Sequence, residues 1–266
     1  MLLQAPHESP YDLNFVLFGF PIRVAWTFWI GAVLFGYQLS LSIDRAFPGE
    51  SPGLFPLLLL WSGCLLVSIL IHELGHAFAF RYYGMESSIV LYHFGGLAIP
   101  SSMGRSGFAH SSSSRRMDEM GELWIALAGP VAQLASAAVL VVAVVASGYQ
   151  VIAFVNMPWP LSNLSQYTTG QPIANIGLMS LVFFYVLPSV LWALLNLLPV
   201  FPLDGGRVMR SLVLISGDRS DTWIWISLVS AGAVAIYGLQ GGQPFMGLLF
   251  LSLAVGNYQM LQQPYR

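Results

Sequence analysis

Two histidines four residues apart flank a glutamate in the run His72-Glu73-Leu74-Gly75-His76. On an α-helix, residues spaced by four share a face, so both imidazoles can reach one metal ion while Glu73 stands beside a third coordination sector. That is the arrangement of a zinc hydrolase, in which a carboxylate takes a proton from an activated water. Five residues alone arise by chance often enough that their setting must carry the argument. They lie in an apolar run from Leu54 to Tyr83 whose other strongly polar side chains ahead of Arg81 are Ser62 and Ser68. A carboxylate near the middle of a membrane costs about 2.5–3.5 kcal/mol to insert. A metal offsets this cost, since binding of a structural zinc is worth on the order of 10 kcal/mol. Two core histidines and a stray glutamate would leave it unmatched.

The chain is 56% hydrophobic and 8% charged, against roughly 25% charged residues in an ordinary soluble domain. This composition is that of an integral membrane protein. All ten basic residues are Arg, and the net charge of -2 gives no reason to expect nucleic-acid binding. The lone cysteine, Cys64, excludes an internal disulfide and reads as a small buried hydrophobe. Residues 1–13 contain Glu8 and Asp12 but no Lys or Arg, so the basic head of a secretory signal is lacking and the first apolar helix is expected to remain in the mature protein.

Six apolar stretches predict membrane spans over residues 25–42, 54–83, 120–146, 176–198, 221–239 and 245–261. The expected fold is an all-α, polytopic six-helix transmembrane bundle with a small β-hairpin or sheet at the cytoplasmic interface, forming one core domain over 1–266. Phe15 to Val24, interrupted by Pro21 and Arg23, reads as a short strand or interfacial segment. Two β-prone runs, Ile89–Tyr92 and Leu97–Ile99, surround Gly95-Gly96 and predict a hairpin. Its edge either pairs with an extended peptide or simply connects two helices. His93 there lacks a partner at metal-binding spacing and is read as structural. Residues 105–116 form a polar serine-rich loop to which no chemistry is assigned. Gly129-Pro130 interrupts the third span, and 147–171 is an outside loop or partial re-entrant segment. Val208 to Ile215 is a short apolar piece. No internal repeat is evident, which gives a transporter of inverted halves little support.

Arg81, Arg105, Arg115 and Arg116 follow the second span, and Arg207, Arg210 and Arg219 follow the fourth, while the opposite loops hold Arg45. The positive-inside rule then puts both termini in the cytoplasm and the His-Glu motif in the cytoplasmic half of the bilayer.

A catalytic zinc needs three protein ligands and an open position. Of the acidic residues other than Glu73, all but Asp204 fall in evident loops or at helix ends. Asp204 directly follows an apolar helix, in a Pro-Gly-rich break expected to have a non-helical backbone, and a cation best explains a carboxylate there.

Taken together, His72-Glu-Leu-Gly-His-Ala-Phe-Ala-Phe-Arg-Tyr-Tyr-Gly84, Phe94-Gly-Gly-Leu-Ala, Ala128-Gly-Pro130 and Asn196-x-x-Pro-x-x-Pro-Leu-Asp-Gly-Gly-Arg207 resemble, in the same order, the site-2 protease family of intramembrane zinc metalloproteases. The resemblance covers essentially the whole six-span core. It implies one Zn²⁺ per chain held by His72, His76 and Asp204, Glu73 as catalytic base, and Asn196 near the bound peptide. It also implies membrane-spanning protein substrates, trimmed beforehand by another protease, a membrane regulatory partner, and residence in a prokaryotic cell membrane. The family usually has Asn where this chain has Gln133, so no polar role is carried over to that position. No inserted PDZ domain and no C-terminal CBS pair is read in the chain.

The chemistry expected is peptide hydrolysis in the bilayer, with Glu73 moving a proton from water to the leaving amine. Asn196 either donates a hydrogen bond to the substrate or oxyanion or caps the broken helix end, Gly95 and Gly96 belong to the hairpin that meets substrate, and Arg207 is read as a cytoplasmic anchor. A prenyl-protein-processing type of membrane protease would need a downstream Glu ligand on a helix, which the sequence does not offer. The remaining alternative is a non-proteolytic transporter or adaptor with a buried metal site.

Overall fold

The computed structural model describes residues 6–93, 95–100, 118–155, 157–218 and 220–262. The serine-rich loop and Phe94 lie outside the described residues. Among the described residues, six helices are long and apolar enough to cross a membrane: α1 (Trp26–Ala46), α2 (Leu54–Tyr82), α3 (Glu119–Ala146), α4 (Ile176–Asn196), α6 (Thr222–Gln240) and α7 (Pro244–Gln262). A shorter helix, α5 (Asp204–Ile215), joins α4 to α6. Large apolar side chains such as Leu34, Leu59, Val139, Val229 and Leu248 point outward along these helices. An apolar face of that extent is stable against lipid, and the chain is an integral membrane protein.

The helices begin and end where local chemistry dictates. Asp118 caps α3 by accepting from the Gly121 N–H at 2.8 Å, and Asn175 caps α4 by accepting from Leu178 N–H at 2.9 Å. At the end of α2 the chain turns at Gly84 (φ 78°), whose N–H donates to the Arg81 carbonyl, while Met85 N–H donates to the Phe80 carbonyl at 3.0 Å. This Schellman turn directs the chain into the sheet.

The hairpin expected at 89–99 is half of a larger sheet. Strands β1 (Leu13–Leu17), β2 (Phe20–Val24), β3 (Ser87–Tyr92) and β4 (Gly95–Pro100) lie in the order β1-β2-β3-β4. The outer pairs are antiparallel, and β2 runs parallel to β3 with Ile22 opposite Ile89 and Val24 opposite Leu91. Phe20, Ile22, Val24, Ile89 and Leu91 are buried on one side of the sheet, in the same core cluster as Leu74 and Ala77 of α2. Arg81 fixes α2 to this sheet by donating to the Phe18 carbonyl at 2.9 Å with its guanidinium 3.6 Å over the Phe20 ring.

Helix α3 carries Pro130 within it over Glu119–Ala146, close to the expected third span. Two further expectations are corrected. Helix α1 continues a turn past residue 42, to Ala46. Asp204 opens α5 instead of sitting in irregular backbone, so the break is confined to 197–203. The break is tied down by side chains of later helices: Ser227 accepts from the Phe201 N–H at 3.0 Å, and Asn257 donates to the Phe201 carbonyl at 2.8 Å. Segment 147–171 is a folded flap with two 3₁₀ turns that buries Ala153, Phe154 and Met157 against α3 and α4.

Asp12 locks the β1–β2 hairpin to the first helix. Its carboxylate accepts from Trp26 N–H at 3.1 Å, Ser9 N–H at 3.1 Å and Arg23 Nη1 at 3.0 Å, and Arg23 also donates to the Pro6 carbonyl. Desolvation works against the charge, but the Trp26 and Ser9 amides and the Arg23 guanidinium outweigh it and hold the acid below its ordinary 3.8. A depressed carboxyl stabilises the fold above its unfolded pKa and loses that contribution as pH falls through the folded value. Asp12→Asn is therefore expected to lower the thermal midpoint in detergent at pH 7, by the equivalent of about 1 kcal/mol. The gap from wild type should narrow as the pH is taken below about 4; a gap independent of pH would mean that the charge is not what holds the hairpin.

Candidate metal centre

Helix α2 carries His72, Glu73 and His76 on a buried face, and all three lie at most 5% exposed. Asp204, also buried, reaches them from the first turn of α5. His72 Nε2 lies 3.0 Å from Asp204 Oδ2, His76 Nε2 lies 3.3 Å from Asp204 Oδ1, and the two Nε2 atoms are 3.1 Å apart. A tetrahedral zinc with bonds near 2.0 Å holds its ligand atoms about 3.3 Å from one another. The donor set and its spacing therefore fit that ion. Among the described residues, this is the cluster of His, Cys, Asp and Glu that could hold a metal, and His93 is not part of it.

Both rings are gripped from behind by α3. His76 Nδ1 donates to the Ile125 carbonyl at 2.7 Å, and His72 Nδ1 is 2.9 Å from Gln133 Oε1. A carbonyl only accepts, so His76 carries its proton on Nδ1 and presents the Nε2 lone pair to the cluster. Helix α3 approaches α2 closely at Gly129, where any Cβ would overlap the His76 ring. Gln133 is one helical turn further along, completely buried. The sequence reading assigned this amide no polar role; the signal available was an amide one turn after the Gly that lets α3 reach the histidine helix.

On its open side the cluster faces a cavity of about 270 Å³. Glu73, Asn196, Gly95, Gly96 and Arg207 all line it, together with Tyr92 and Trp192. Asn196 closes α4 and faces this space, while Arg207, expected as a cytoplasmic anchor, stands at its wall because it lies one turn beyond Asp204 on α5. Gly96 of β4 backs directly onto Glu73, and a Cβ there would overlap the carboxylate stem. Gly95, at φ 127°, brings the backbone against Trp192, whose ring would stand 2.9 Å from an added Cβ. Trp192 also borders two apolar cavities of about 240 and 200 Å³, one toward α1 and one toward α7. Cys64 is buried away from this site, against the Leu181 carbonyl.

The site thus brings two imidazoles, two carboxylates and a cavity of about 270 Å³ together at the junction of α2, α5 and the sheet. A putative zinc metalloprotease of Synechocystis is 32% identical over 234 residues, 84% of this chain. A zinc metalloprotease of Methanocaldococcus jannaschii is 27% identical over 56% of the chain. The chain spans 51% and 33% of the lengths of these two relatives. A solved structure of the site-2 protease from Methanocaldococcus jannaschii is 22% identical and covers 94% of both chains, with a TM-score of 0.48. The motif resemblance to the site-2 proteases is borne out by the family match: the sequence model of Peptidase family M50 covers residues 61–234, and the chain belongs to that family.

Proposed function

We propose that this chain is an intramembrane zinc metalloprotease that hydrolyses peptide bonds of membrane-spanning proteins. The observation carrying this reading is the convergence of His72, His76 and Asp204 at zinc-ligand spacing beside the buried Glu73, at the edge of a cavity, in a chain of Peptidase family M50. His72, His76 and Asp204 hold one Zn²⁺, which when bound supplies a Lewis acid that acidifies a water and polarises a carbonyl. Glu73 takes the proton from the attacking water and hands it to the leaving amine. Its seat against Gly96 confines the carboxylate between helix and sheet, so its reach toward the cavity is fixed. Asn196, across the cavity, donates its amide hydrogens to the substrate carbonyl or to the charge that develops on it.

A membrane helix hides its peptide bonds within its own hydrogen bonds, so the substrate must be drawn out locally. Among the described residues β4 is an edge of the sheet and borders the cavity, and an extended segment pairs with its outward backbone groups. Gly95 and Gly96 keep that approach open. The site faces the cytoplasm, and both termini lie on that side. Arg81 and the ion pair of Arg210 with Glu122 at 3.0 Å lie at the end of the bundle that carries the sheet, whereas Arg45 ends α1. A prokaryotic cell membrane is the setting, and a membrane partner governs access to substrate.

Three experiments test this reading. Glu73→Gln should retain zinc, measured by elemental analysis of the purified protein, while cleavage of co-expressed single-span proteins falls by at least about 10²-fold; undiminished cleavage would exclude the mechanism. Gly129→Ala, which drives a methyl group into the His76 ring, should lose most of the bound zinc together with activity. Ala98→Pro, which removes a backbone donor on the side of β4 turned away from β3, should abolish cleavage of membrane-embedded substrates while zinc content stays at one per chain; full cleavage would rule out strand pairing.

A further inference from the structure

The hydrogen bonds behind the metal centre have directions that follow one from another. Ser189 Oγ donates to the Tyr185 carbonyl at 2.6 Å, and that carbonyl can only accept. With its single hydrogen so used, Ser189 must accept from Ser68 Oγ, 2.7 Å away. Ser68 then has only lone pairs to offer Gln133, whose Nε2 donates to it at 2.8 Å. The amide is thereby turned with Oε1 toward His72 Nδ1, 2.9 Å away. An acceptor at that position demands the Nδ1–H form of His72 and leaves the Nε2 lone pair aimed at the point shared with His76 and Asp204. Turned the other way, the amide would put an N–H against Nδ1 and force the proton onto Nε2, where the ion must bind.

From this chain, and resting on the metalloprotease reading above, we infer that Gln133 is a positioning residue that selects the metal-binding tautomer of His72, its own orientation being set through Ser68 and Ser189 by a backbone carbonyl of α4. The device spans three helices. His72 and Ser68 lie on α2, Gln133 on α3, and Ser189 with Tyr185 on α4, and the side chains of Ser68, Gln133 and Ser189 are buried to 1% exposure or less. Water is thus kept from substituting for any of these partners.

The test is zinc affinity of the full chain in detergent, read by competition with a chromophoric chelator, with helicity and thermal midpoint as controls on folding. Gln133→Leu keeps the volume but removes the acceptor, and should weaken zinc binding by about 10–100-fold. Gln133→Glu, whose buried neutral carboxyl donates its O–H to Ser68 and accepts from Nδ1–H through its carbonyl oxygen, should return the affinity to within about threefold of wild type. Ser68→Ala leaves Gln133 in place but frees its amide to turn, and should weaken binding by a smaller factor. A folded Gln133→Leu protein with wild-type affinity overturns the inference, as does a Gln133→Glu protein as weak as Gln133→Leu, because the loss would then come from packing. Should Gln133→Leu fail to fold, Ser68→Ala decides, and wild-type affinity in that variant overturns it. Wild-type protein that binds no zinc would instead overturn the metalloprotease reading itself, so the two failures are distinguishable.

Discussion

Four titratable side chains sit at one point in a protein whose surroundings are lipid, and each must find its compensation inside the fold. Water cannot supply it along most of α2, and an uncompensated polar group in an apolar medium costs several kcal/mol. The compensation comes from three directions. Helix α3 offers a carbonyl and an amide to the Nδ1 atoms of the two histidines, α5 brings the opposing carboxylate, and β4 closes over the glutamate. The order of elements in the chain follows from this need. A second membrane-crossing helix passes behind the histidines, and the chain breaks inside the bundle, after α4, to deliver Asp204.

Breaking the chain there creates its own demand, since backbone groups in 197–203 lose their helical partners. Ser227 and Asn257 meet it from α6 and α7. The last two helices, which contribute nothing directly to the cluster, thus hold the segment that presents Asp204 to it. Small residues do the complementary work. Gly129 and Gly96 hold the space that His76 and Glu73 occupy, so the positions of both side chains are set as much by absent atoms as by hydrogen bonds.

Much of this was legible in the sequence because it is written in local terms. Runs of apolar residues placed the six spans to within a few positions, and the i, i+4 histidines marked the face of α2 that carries the His72–His76–Asp204 cluster without any tertiary information. Asp204 stood out as an acid directly after an apolar helix. What escaped depends on contacts between distant segments. Nothing in Phe20–Val24 says that it will pair in parallel with Ser87–Tyr92, since that register is decided by burial of Ile22 and Ile89 on a shared face. Arg207 looked like a basic flank until α5 began at Asp204 and carried it round to the cavity. Gln133 was given no polar role because the related family usually has Asn there, and its contact with His72, 61 residues away, is visible only in the fold.

The parallel join between β2 and β3 has a mechanical meaning. It welds the hairpin ahead of the first membrane helix to the strand pair that roofs Glu73, making one plate hinged on the ends of α1 and α2. Arg81 rivets that plate to the histidine helix. The outer hairpin and the strand that backs onto Glu73 therefore share one framework, joined through three paired positions, and neither is placed independently of the other.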